Sequence, residues 1–133
     1  MEKEIIRGDN HITKALDEAG VPLSGVVRAG DLIYVSGLPP FDPKTGGILI
    51  SDIRAQTECV LNNVKIAVES AGGTMETVLK CTIFCTNVGY FNAINEVYAK
   101  FFPKDPPART FCSVGSWPWE FDIEIECVAL VKH

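Results

Sequence analysis

Histidine is nearly missing from this 133-residue chain: His11 lies near one end and His133 is the last residue. A Ser-His or Cys-His hydrolase needs a well-placed imidazole base, so that class is disfavoured. A His-rich metal site is disfavoured on the same ground. Cysteine lacks pattern rather than number. Cys59, Cys81, Cys85, Cys112 and Cys127 make an odd five with no CxxC, which argues against a disulfide framework. Cys81 and Cys85 fall in one strand-like run, which at about 3.3 Å per residue puts them roughly 13 Å apart. That is too far for a disulfide or for shared metal ligation, so they read as small apolar core residues.

Positive charge is also short. Twelve Lys and Arg face 17 Asp and Glu, for a net charge of −5. No basic block offers an electrostatic footprint for nucleic acid or for an anionic membrane surface. No apolar run approaches the ~20 residues that span a bilayer. The opening "MEKEIIRGDN" is charged and lacks the apolar centre of a secretory signal. The expectation is a soluble cytoplasmic protein.

What is present suits one domain over residues 1–133. The length allows a single proper core, and 47% apolar residues is ordinary for a globular chain. "GVVRAGDLIYVSG" reads as two short strands around Ala29-Gly30, the second being Leu32–Ser36. "PPFDPKTGG", 39–47, is dense in turn formers. Ser51 or Asp52 can cap a helix running to about Ala71, with Ile53, Val60, Val64, Ala67, Val68 and Ala71 on a 3.6-residue period and Gly72-Gly73 ending it. "TVLKCTIFCTN", 77–87, reads as a strand with Leu79, Cys81, Ile83 and Cys85 on one face. "GYFNAINEVYAKFF", 89–102, reads as a second helix burying Phe91, Ile94, Tyr98 and Phe101, stopped by Pro103. Strands follow at 108–114 and 121–131, around a "SWPWE" loop at 116–120. This order predicts an α+β fold: a mixed sheet with two helices on one face. The uncovered face suggests self-association.

Few residues could carry chemistry. In "FDIEIECVAL" the acids Asp122, Glu124 and Glu126 point opposite to Ile123, Ile125 and Cys127. They suit a half-solvated sheet face; alternatively, one carboxylate faces a cleft near a cation and does acid/base work. Arg109, in "DPPARTF", is the only cation between Lys104 and Lys132. It is either a surface arginine or a bidentate clamp for a substrate carboxylate, a task its planar fork suits. Gly37, in "YVSGLPP", either turns the chain or admits a ligand close to the backbone. Asn95 sits one residue beyond Ile94, either exposed or at a subunit boundary. Trp117 and Trp119 either pack their loop or roof a pocket.

"VSGLPPFDPKTG", "AQTECVLNNVKIAVESAGG", "VLKCTIFCTNVGYFNAINEVYAKFFP", "PPART" and "IEIECVAL" occur in the order of the RidA (YjgF) family, which the chain resembles from about Gly25 to Leu130. The resemblance implies a chorismate-mutase-like (YjgF-like) fold and a barrel-like homotrimer with sites between subunits. It also implies hydrolysis of reactive enamine/imine intermediates to 2-keto acids and ammonia, with no metal or organic cofactor. Carried over by motif, the carboxylate-binding arginine falls on Arg109, the catalytic glutamate on Glu124, the ligand-contacting glycine on Gly37, and the family asparagine on Asn95. The resemblance departs at Leu23, where the best-studied branch has tyrosine. It departs at Phe111, where cysteine is frequent, and at the "WPWE" loop. These departures bear on substrate preference. Related branches acting on aminoacrylate or 2-aminomuconate, a non-catalytic small-molecule-binding trimer, and an endoribonuclease are the rival readings. The charge balance makes the last the least attractive.

Overall fold

The computed structural model describes all residues, 1–133. The elements in chain order are β1 (Lys3–Ile6), α1 (His11–Ala19), β2 (Val26–Ala29), β3 (Leu32–Leu38), α2 (Ile53–Ser70), β4 (Val78–Cys85), α3 (Phe91–Phe101), β5 (Ala108–Ser113) and β6 (Ile123–Leu130). They form one six-stranded sheet in the order β1-β2-β3-β6-β4-β5. Only β4 and β5 run parallel, with α3 as their crossover. The sheet is mixed, as expected for α+β.

The expected count of two helices is corrected to three. The third, α1, begins at Asn10, whose side chain accepts from the Thr13 amide at 3.0 Å. Ile12, Ala15 and Leu16 then fall at i, i+3 and i+4; Ile12 and Ala15 are buried and Leu16 packs against the core. Strand β1 leaves no alternating pattern in the sequence, because its side chains are largely exposed.

Helix α2 starts on Asp52, whose carboxylate accepts from the Ala55 amide at 2.8 Å. It ends at Ala71, and Gly72 follows at φ 96°, a conformation that favours glycine. Ile33, Val35, Cys81, Ile83, Cys85, Ile123, Ile125, Cys127 and Ala129 point toward the helices and join Val60, Leu61, Val64, Val68, Ile94 and Val97 in a single core. The opposite sheet face carries no helix.

Two placements differ from the sequence pattern. Leu79 is exposed and Val78 buried, because pairing with β6 shifts register between Val78 and Lys80. On α3 the buried set is Ile94, Val97 and Tyr98, followed by Phe102 beyond the helix end. Phe91 is exposed and Phe101 half-buried. The helix proper starts at Phe91, after a short turn over Val88–Tyr90, so Phe91 lies at its open end.

Three polar residues of α2 are buried, and each has partners. Thr57 donates to the Ile53 carbonyl at 2.7 Å. Gln56 donates to the Ser51 carbonyl and to Asp122, and accepts from the Asp122 amide. Asn63 donates to the carbonyls of Pro39 at 3.2 Å and Phe41 at 3.0 Å, and its Oδ1 meets His11 Nε2 at 2.7 Å. Together Gln56 and Asn63 fix the start of β6 and the loop after β3 to one helix.

Candidate functional site

Strand pairing decides where the predicted site residues point. Residues paired across neighbouring strands share a face. Arg109 pairs with Cys81 and Phe111 with Ile83, both fully buried beneath the helices, so Arg109 and Phe111 project toward the helix side. Glu124 pairs with Phe84 and Glu126 with Thr82, on the bare side. A single chain therefore does not bring Arg109 and Glu124 together. It builds two separate corners.

The arginine corner lies on edge strand β5 against α3. Arg109 Nη1 donates to Asn95 Oδ1 at 2.8 Å. Its Cζ lies 5.0 Å from the centre of the Tyr98 ring and 5.6 Å from that of Phe91. Phe91 in turn meets Phe111 edge-to-face, with centroids 5.1 Å apart at 85°. Asn95 comes from the α3 turn between Phe91 and Tyr98, so one helix supplies both rings and the hydrogen bond. The Tyr98 hydroxyl is enclosed without a nitrogen or oxygen partner. Burial pushes its phenol upward, and the neighbouring Cys81 thiol adds to this, so the ring stays neutral beside the guanidinium. Arg109 takes part in none of the three ion pairs of the chain. The result is a half-buried cation, held in place and without a carboxylate.

The glutamate corner lies where β6 crosses β3. A side chain at Gly37 would place its Cβ within 2.9 Å of the Glu124 carboxyl carbon, closer than real contacts allow, so the backbone here is bare to make room for the acid. β3 shifts register between Val35 and Leu38, where Gly37 lies. The Glu124 carboxyl is raised above its usual range, first by burial and then by the charge of Glu126. No ion pair offsets either cause. Just beside it, Ser36 Oγ donates to the Ser24 carbonyl at 2.7 Å, and the Ser36 amide donates to Gly25 at 2.9 Å. These bonds tie the loop bearing Leu23 to the strand that bears Gly37. Leu23 is 46% exposed. It also lines a cavity of about 60 Å³ beside α1, together with Ile5, Leu16 and Ser24. That cavity is small and includes neither Arg109 nor Glu124.

The loop before β6 is settled in part. Trp117 stacks on Phe121 with centroids 4.4 Å apart, while Trp119 is 44% exposed. Cys112 pairs with Phe84 and so lies on the bare face, opposite to Phe111. No group of three or more His, Cys, Asp or Glu side chains gathers where it could hold a metal ion. No helix is long and apolar enough to cross a membrane. Sequence reasoning missed the rings of Phe91 and Tyr98 as parts of the arginine corner. The signal that could have found them is their spacing: Phe91, Asn95 and Tyr98 recur at i, i+4 and i+7, which is one helical face.

Comparisons with known proteins agree with this architecture. The family described as Endoribonuclease L-PSP matches residues 12–131. A RutC family protein of Pyrococcus horikoshii is 40% identical over 108 residues, covering 81% of this chain and 86% of that one. Reactive Intermediate Deaminase A, chloroplastic, of Arabidopsis thaliana is 36% identical over 108 residues, covering 81% of this chain and 58% of that longer protein. The crystal structure of YyfA from Yersinia pestis, described as a protein of unknown function of the conserved Rid family, superposes with a TM-score of 0.87 at 33% identity. It covers 98% of this chain and 100% of that one.

Proposed function

The chain belongs to the Endoribonuclease L-PSP family, which is the YjgF/RidA family and includes a reactive intermediate deaminase, and from that membership we propose that it hydrolyses reactive 2-imino acids to 2-keto acids and ammonia. The observation that carries this reading is the pair of incomplete corners: a fixed guanidinium without an anion and a desolvated carboxyl without a cation. Each lacks what the other offers, and in one chain they face away from each other. The active unit is then a homotrimer in which the β5 edge of one copy meets the bare sheet face of the next. Such a meeting would also cover Tyr34, half exposed at the middle of that face.

In this site Arg109 binds the substrate carboxylate through the N–H groups that Asn95 leaves free. Binding converts an encounter into an oriented attack. Glu124 accepts a proton from water as the water oxygen bonds to the imine carbon, and delivers it to nitrogen. Glu124 then takes the proton of the new hydroxyl and passes it to the same nitrogen, the C–N bond breaks, ammonia leaves, and the carbon keeps the oxygen as a ketone. One water is consumed for each ammonia released, and no electrons are exchanged. A raised carboxyl suits this role, since the group must both take and return a proton. Gly37 keeps backbone atoms close to the reacting carbon.

The test is direct. An amino-acid oxidase generates 2-imino acids in place, and a carbonyl-type trapping reagent reports those that survive. The protein should speed their loss, and Arg109→Ala and Glu124→Gln should abolish most of that effect. If the parent protein gives no acceleration, or if Arg109→Ala keeps full activity, the reading is wrong.

A further inference from the structure

The surfaces flanking the two corners are apolar. Phe91 is 39% exposed beside the Arg109 guanidinium, and Phe111 meets it edge-to-face rather than covering it. On the other corner Leu23, 46% exposed, stands on the loop tied to Ser36, next to Gly37. A carboxylate held by Arg109 at about 2.8 Å places its α-carbon within reach of the Phe91 face. A substituent on that carbon then has the exposed Phe91 ring as its neighbouring apolar surface. Arg109 is the cation that lies over the Phe91 ring, 5.6 Å from its centre. The rings themselves offer nothing to replace the hydration of a polar or ionic substituent, and the Asn95 oxygen beside them is engaged by Arg109, whereas an apolar substituent removes ring surface from water.

We propose that the Phe91–Phe111 pair and Leu23 form a specificity wall that selects 2-imino acids with apolar side chains larger than methyl, those derived from leucine or phenylalanine, over the alanine-derived 2-iminopropanoate. The proposal rests on imine hydrolysis at a site shared between copies, since Leu23 and the rings stand on different corners, and concerns only which imine is preferred. Phe111, packed edge-to-face on Phe91, extends the same apolar surface. A pocket that gains a few buried carbons discriminates by about tenfold or more in kcat/KM.

The experiment compares kcat/KM for imines generated from leucine, phenylalanine, alanine and serine under identical trapping. The leucine- and phenylalanine-derived imines should exceed the alanine-derived one by about tenfold, with the serine-derived imine no better than alanine's. Phe91→Ala and Leu23→Ala should each lower the leucine-to-alanine ratio. Should Phe91→Ala fold poorly, Phe111→Ala reads the same ratio from the other member of the pair. Equal values across the panel, a preference for the alanine- or serine-derived imine, or a ratio unmoved in all three variants would overturn the wall while leaving imine hydrolysis standing. Acceleration of no imine at all would bring down hydrolysis and the wall together.

Discussion

The two faces of one sheet, made by the same strands, are built to different ends. On the helix side, Cys81, Ile83, Cys85, Ile125 and Ala129 are sealed beneath three helices. On the other side, Tyr34, Phe84, Glu124, Glu126 and Val128 alternate with them and have no helix above. The first face is finished within a single chain. The second mixes apolar and acidic groups and includes a carboxyl already half removed from water. The contrast teaches that stability and chemistry are divided between alternate residues: the inward set holds the fold, while the outward set waits for another surface.

Four experiments would break or sharpen that contrast. The largest effect is expected from separating the corners. Arg109→Ala and Glu124→Gln should each lower imine hydrolysis by about 10²–10⁴-fold. If each site draws its arginine and glutamate from different copies, unfolding and refolding the two variants together should restore about a quarter of the parent rate, as random assembly of symmetric oligomers predicts. No recovery on mixing would place both groups within one copy's reach and refute the division between copies.

The next effect is structural. Ile83→Ala, on the sealed face, should cost about 2–5 kcal/mol of stability in urea unfolding. Tyr34→Lys, on the bare face, should leave far-UV circular dichroism intact and reduce the particle size in light scattering. Loss of folding in Tyr34→Lys with no change of size at any stage would erase the distinction between the faces.

A smaller effect should come from Asn95→Asp. The new carboxylate would pair with Arg109 and compete with substrate, raising KM by about tenfold, the worth of a charge-assisted hydrogen bond, with less change in kcat. The smallest effect is a pH dependence at Glu124. Its folded carboxyl lies above the ordinary value of 4.5. The fold therefore favours the protonated form: the contribution is full below about 4.5 and is lost as pH rises through the higher folded value. Glu124→Gln cannot ionise, so its Tm should exceed the parent's at pH 8, and the gap should close near pH 4. A gap that widens on acidification would reverse the assignment.

Much of this was legible in the sequence, for physical reasons that differ by element. The alternation of Ile and Glu along β6 is a period-2 signal, and both faces appear where it points. Helix α2 announced itself by an acidic cap, a 3.6-residue stripe and a glycine stop. The direction of Leu79 was not legible, because a one-residue register shift comes from pairing and leaves no local trace. Nor was the burial of Gln56 and Asn63, whose partners are Asp122 and the loop carbonyls at Ser51, Pro39 and Phe41. The site residues Arg109 and Glu124 were singled out by type and motif. That they look to opposite sides follows only from the register that aligns Arg109 with Cys81 and Glu124 with Phe84.

The Asn63 joint has a bearing on how the segment after β3 is anchored. Its amide nitrogen gives both hydrogens to the carbonyls of Pro39 and Phe41, so its oxygen can only accept. His11 must then carry a proton on Nε2 to make the contact between them. The one histidine inside this architecture thus works as a pin, fastening the start of α1 to the same α2 side chain that grips the loop behind Gly37.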